Sequence, residues 1–234
     1  MKIFVINWKM HINTHEALAF CHTYKDELLH LKSKVILCPP TTALSVLGHE
    51  LQKTDVALAG QSCSDESCGS HTAQMAAINY AQVGCSYVLV GHHEERVAFG
   101  LDTKRVAHKA MKVIEAGLIP LICISDSKKE RKKKSFESIL DKELSIIEEV
   151  LQGKPAYIVY QGLWTHKAQS YTDELASIFA FMKYRLPGYA FLYEGAIPED
   201  NFHTLTFISS LCGFLVTEET TDFQMFKKIV SYQE

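Results

Sequence analysis

The sequence predicts an α/β fold, a (β/α)8 barrel forming one domain over residues 1–234. Three observations carry this. Eight short apolar runs recur from end to end, with helix-like stretches between them. Most runs are apolar at consecutive positions, as parallel strands covered on both faces should be. A chain of 234 residues, 47% of them hydrophobic, fills one barrel with a large core.

The first run, Ile3–Ile6, stops abruptly at the polar Asn7-Trp8-Lys9. A helical stretch follows over Thr14–Leu31. The second run, Lys34–Cys38, is ended by Pro39-Pro40, and the third is Val56–Ala59. The fourth, Tyr87–Val90, hands over to Gly91-His92-His93-Glu94-Glu95-Arg96. Lys104–Ala116 reads as a helix and Ile119–Ile124 as the fifth strand. The basic run Lys128–Lys134 reads as the solvated start of a helix that continues over Lys134–Leu151. The sixth strand, Ala156–Tyr160, leads into Gln161-Gly162-Leu163-Trp164. A helix over Thr172–Tyr184 and a Pro187-Gly188 turn precede the seventh strand, Tyr189–Tyr193, and Gly213–Val216 is the eighth. A doubly wound open sheet is the alternative, but no G-x-G-x-x-G follows the first strand. No linker, repeat or low-complexity tract interrupts the alternation.

Charge and cysteine usage exclude several classes. The net charge of −3 and pI near 6.4 do not suit a nucleic-acid binder. Seven cysteines, an odd number without a CxxC pair, argue against a disulfide framework or zinc ribbon and for a reducing cytoplasm. The N-terminus lacks the pattern of a signal peptide. No apolar stretch reaches the roughly 18 residues a membrane span needs.

Asn7-x-Lys9 after the first strand and Gly91-His92-His93-Glu94-Glu95-Arg96 after the fourth resemble the triosephosphate isomerase family. The resemblance continues in order through Gly60-Gln61-Ser62, Ser70-His71-Thr72-Ala73-Gln74, Phe99-Gly100, Val106-Ala107-His108, strand five with Cys123, Leu192-Tyr193-Glu194-Gly195 with Asn201, and Gly213-Phe214-Leu215-Val216. It implies that Lys9 binds substrate and stabilises enediolate charge, that Asn7 orients Lys9, and that Glu94 pairs with it. It makes His92 the neutral imidazole that polarises the carbonyl. No role follows for His93, which replaces a serine. Glyceraldehyde 3-phosphate and dihydroxyacetone phosphate are the implied substrates, with no cofactor and no metal. Thr72 is implied to contact the second subunit of a homodimer.

The departures fall on the chemistry. The family's catalytic base is a glutamate in Tyr-Glu-Pro-Val-Trp, and this chain reads Tyr160-Gln161-Gly162-Leu163-Trp164. An amide is not a base in water, and general-base catalysis contributes about 10²–10⁴-fold. The phosphate loops also differ. Thr165-His166-Lys167-Ala168-Gln169-Ser170 has no glycine, Glu194 and Ala196 replace a glycine and a serine around Gly195, and Thr217-Glu218 replaces a Gly-Gly pair. The resemblance implies Asn7, Gly195, Ala196, Thr217 and Glu218 as the substrate-binding positions. Glu194 and Glu218 are expected at the phosphate end, too far from the reacting carbons to replace the base, and read otherwise as solvated loop residues. Strongly impaired isomerase activity is the expectation. The rival is a non-catalytic or repurposed barrel that binds a cationic or non-phosphorylated small molecule.

Overall fold

A computed structural model describes residues 2–30, 32–165, 171–196, 202–217 and 222–230. Eight parallel strands close a barrel in sequence order. They are β1 (Ile3–Asn7), β2 (Lys34–Cys38), β3 (Ala57–Gly60), β4 (Tyr87–Val90), β5 (Ile119–Ser125), β6 (Tyr157–Gln161), β7 (Ala190–Glu194) and β8 (Leu211–Val216). Helices stand between successive strands, so the predicted architecture is the observed one.

Consecutive apolar positions are explained by two cores. One half of each strand faces the lumen, where Val5, Ile36, Leu89, Leu121, Val159, Leu192 and Leu215 pack together. The alternate residues, among them Phe4, Ile6, Tyr160, Phe191 and Tyr193, face outward beneath the helices. The period of two then fixes the chemistry at the rim. Asn7, Gln161 and Glu194 stand two residues beyond Val5, Val159 and Leu192, so all three project into the mouth at the C-terminal ends of their strands.

Three local expectations are corrected. The stretch Thr14–Leu31 is two helices, Thr14–Thr23 and Lys25–Leu29, with Tyr24 leaving helical geometry at φ −114° and ψ 23°. The sixth and seventh strands each lie one residue later than expected, which brings Gln161 and Glu194 into the sheet as in-register partners. The basic run is not simply a solvated helix start. It forms a short helix, Lys128–Arg131, closed by a Ser127–Glu130 capping box, and a new helix begins at Phe136. Arg131 is pinned rather than solvated. It pairs with fully buried Asp126 and lies 4.1 Å over the Trp164 ring, which holds the residues following β6.

Candidate active site

The first rim residue is shaped by backbone strain. Lys9 sits at φ 48°, a left-handed conformation that costs an L-residue about 1–2 kcal/mol. Two side chains hold it there. Buried Asn7 accepts the Lys9 N–H at 3.1 Å, and Gln61 donates from Nε2 to the carbonyls of Lys9 and Cys38, each at 3.0 Å. Lys9 Nζ then reaches Glu94 Oε1 at 2.8 Å. Burial would raise the Glu94 carboxyl, but the Lys9 hydrogen bond and the neighbouring imidazoles hold it below its ordinary value. Asn7, Lys9 and Glu94 therefore meet as expected.

The β4 segment is anchored from below. Arg96 donates to the carbonyls of Gly91 and Cys123 at 2.9 and 2.8 Å and pairs with Glu143. Glu95 accepts the Gly91 N–H at 3.2 Å and pairs with buried Lys109. The sequence reading assigned Lys109 nothing. Its place on the same helical face as Val106, Ala110 and Val113 was the available signal.

His92 is buried and caps the helix His93–Phe99, its Nδ1 accepting from the Glu94 N–H at 3.3 Å. An accepting Nδ1 leaves the ring proton on Nε2. That Nε2 lies 2.9 Å from Glu194 Oε1. The imidazole thus lies at the rim after β4, and its Nε2 donor is already engaged.

Glu194 overturns an expectation. It was placed at the phosphate end, away from the reacting centre. It is instead the last residue of β7, paired in register with Gln161 of β6, and lies between Gln161 and His92. Parallel in-register neighbours point their side chains to the same face, so a strand residue in this position cannot belong to a distant loop.

Gln161 is 1% exposed and every polar atom of its amide is used. Its Oε1 accepts the His93 N–H at 2.8 Å. Its Nε2 donates to Glu194 Oε2 at 2.7 Å and to His93 Nδ1 at 3.0 Å. His93, which had no role in the sequence reading, is thereby tied into the centre, its ring 4.6 Å from that of His92. Burial, followed by the neighbouring His92, holds His93 below the usual imidazole pKa and favours its neutral form.

The loop after β7 turns inward. Thr165 Oγ1 accepts from the Ala196 N–H at 3.1 Å and from Tyr193 Oη at 2.9 Å, while the Ala196 carbonyl accepts from Tyr171 at 2.7 Å. A side chain on Gly195 would meet Tyr193 Oη at 2.2 Å, so the turn needs glycine there. The Ala196 N–H is thus spent on Thr165 rather than aimed at a ligand. Thr217 follows β8 and is half-buried. Glu218, Lys167 and Asn201 lie outside the described residues. Thr72 is exposed on the segment between β3 and the helix Ala77–Gln82, next to Ala73 at φ 67°.

The family model described as triosephosphate isomerase matches residues 2–233. The triosephosphate isomerase of Aquifex aeolicus is 27% identical over 245 residues, covering 98% of each chain. That of Herpetosiphon aurantiacus is 34% identical over 164 residues, 68% of this chain and 65% of its own. A crystal structure of triosephosphate isomerase from Bartonella henselae matches 99% of both chains with a TM-score of 0.86 at 22% identity, which shows a shared fold.

Proposed function

Because the chain belongs to the triosephosphate isomerase family, we propose that it is a divergent member whose interconversion of glyceraldehyde 3-phosphate and dihydroxyacetone phosphate is strongly impaired. One observation carries this reading. The amide of Gln161 occupies the base position and bridges to Glu194, whose other oxygen takes the Nε2 donor of His92. Removing a proton from carbon needs a basic atom at that position, and polarising the carbonyl needs a free donor. Both are absorbed by one closed bridge. Lys9 and Asn7 remain in place, so the electrostatic half of the site outlasts the proton-transfer half.

The test is the isomerase rate of the purified chain. Enzymes commonly turn over at about 1–10³ s⁻¹. Loss of the general base lowers a rate at the top of that range by about 10²–10⁴-fold, and a wild-type rate of about 10³ s⁻¹ overturns the reading.

Glu194 favours a second reading. A carboxylate at the centre of the mouth suits a cationic or neutral ligand better than a dianionic phosphosugar. Failure of a triose phosphate to bind in calorimetry, with the barrel folded, selects this alternative over a weak isomerase.

We also place the protein as a homodimer in the cytoplasm, in a glycolytic setting. All seven cysteines are free, which suits a reducing compartment, and among the described residues no helix is long and apolar enough to cross a membrane. Met10, Val97 and Phe99 are 95%, 84% and 71% exposed. Phe99 also lines a cavity of about 700 Å³ together with Gln61, Ala73, Gln74 and Arg105. Exposed apolar groups beside a concavity suit an isologous contact made through Thr72. Light scattering at micromolar concentration is expected to give twice the mass of one chain, and a monomer overturns this.

A further inference from the structure

We propose that His92, His93 and Glu194 form a binding site for a divalent transition metal of the zinc class at the mouth of the barrel. The proposal goes beyond the isomerase reading and stands whether or not a triose phosphate is turned over. One ligand atom from each residue lies within 4.8 Å of the other two. Two imidazoles and one carboxylate suit Zn²⁺ and leave a fourth position for water or a ligand. A tetrahedral zinc ion sets neighbouring donors about 3.3 Å apart. The His92 Nε2 to Glu194 Oε1 edge, now 2.9 Å, opens slightly. No other edge needs to close by more than about 1.5 Å, the excess of the 4.8 Å limit over that spacing.

The surrounding groups suit the exchange. His92 now carries its proton on Nε2. On binding the metal, the ring takes the tautomer protonated at Nδ1, which gives up the Glu94 N–H it now accepts at 3.3 Å and turns to Glu94 Oε2, 3.5 Å away. The protein neither gains nor loses a proton in that shift. Gln161 Nε2 holds Glu194 Oε2 at 2.7 Å and so leaves Oε1 to ligate, as an outer partner of a metal ligand does. His93 Nδ1 now accepts from Gln161 at 3.0 Å, and that lone pair turns to the metal when the Gln161 amide gives up this contact and keeps its bond to Glu194 Oε2. The Lys9 charge, which would oppose a cation, is offset by Glu94 at 2.8 Å.

The experiment titrates the full chain, stripped with a chelator, with Zn²⁺ alone by calorimetry and with Co²⁺ alone by absorption. One equivalent of Zn²⁺ is expected at micromolar affinity or tighter. The cobalt form is expected to show ligand-field bands without intense thiolate absorption. Glu194→Gln and His93→Ala should each weaken Zn²⁺ by more than about 100-fold, and Gln161→Ala by about 10–100-fold. Cys68→Ser, which removes the exposed thiol, should change nothing. Thermal melts without metal establish that each variant is folded. If one is not, imidazole N–H resonances shifted by bound Co²⁺ in the wild type decide: their presence supports the site and their absence overturns it. The proposal also fails if the wild type binds no stoichiometric Zn²⁺. It fails equally if affinity survives in both ligand variants or disappears with Cys68.

Discussion

Gln161→Glu alone is expected to leave isomerase turnover within about ten-fold of wild type, while Gln161→Glu combined with Glu194→Gly raises it by at least about 10²-fold. Gln161 stands at the position of the family's base, so reinstating that carboxylate is the repair the sequence suggests first. The geometry says otherwise. Glu194 Oε2 lies 2.7 Å from Gln161 Nε2, so a glutamate at 161 would set two carboxylates in contact. Such a pair cannot ionise fully and shares one proton, as two like charges in one site do. Glu194 Oε1 would also still hold the His92 donor at 2.9 Å. Removing the second carboxylate frees both groups at once. Glycine at the end of β7 costs roughly 1 kcal/mol in chain entropy, which the barrel tolerates. Steady-state kinetics of the four proteins in the cycle measure the coupling directly. Full recovery in Gln161→Glu alone would show that Glu194 does not block the centre. No recovery in the double variant would place the remaining defect in the loops that hold phosphate.

Much of this was legible in the chain, for identifiable reasons. Consecutive apolar runs announce parallel strands because both faces are buried, and eight of them at this length close a barrel. Asn7, Lys9, His92 and Glu94 were singled out because they sit in two segments that follow abrupt strand ends and match the family's motifs, and the structure brings them to one rim. Glu194 was misplaced because the strand was stopped one residue early, at Tyr193. Strand boundaries are poorly determined by propensity, yet one residue decides whether a side chain belongs to the sheet or to a loop. Counting from Leu192 at a period of two would have put Glu194 in the mouth. His93 was opaque for a different reason. Its role comes from contacts with Gln161, 68 positions away, and no local pattern encodes those. The pinning of Arg131 on Trp164 is likewise long-range, and a run of lysines around it gives no hint of it.

Closure of the barrel rests on a glycine, and Gly213→Ala is expected to destabilise the fold by about 3 kcal/mol or more, from forced overpacking against rigid backbone. For a chain of this size that lowers the melting temperature by about 6–12 °C. Gly213 lies where β8 meets both neighbours. It pairs with Ile3 of β1 on one side and Leu192 of β7 on the other. On the β7 side the register shifts between Phe191 and Leu192, an irregularity next to Gly213. A Cβ on Gly213 would lie 2.0 Å from the Ile3 carbonyl oxygen and 2.8 Å from that residue's C and N. All three are backbone atoms of a paired strand, so neither partner can yield without opening the ladder. The loss should therefore appear as weakened closure between the first and last strands. Hydrogen exchange should report it in the amides of β1 and β8 before those of β5 and β6. Gly188→Ala is the control, because a Cβ there meets nothing within 4 Å, and its melt should match wild type. If Gly213→Ala melts alongside Gly188→Ala, the seam has slack that this contact does not reveal. If only Gly213→Ala falls, the β1–β8 contact sets the stability of the barrel that carries Asn7 and Lys9 on the adjoining strand end.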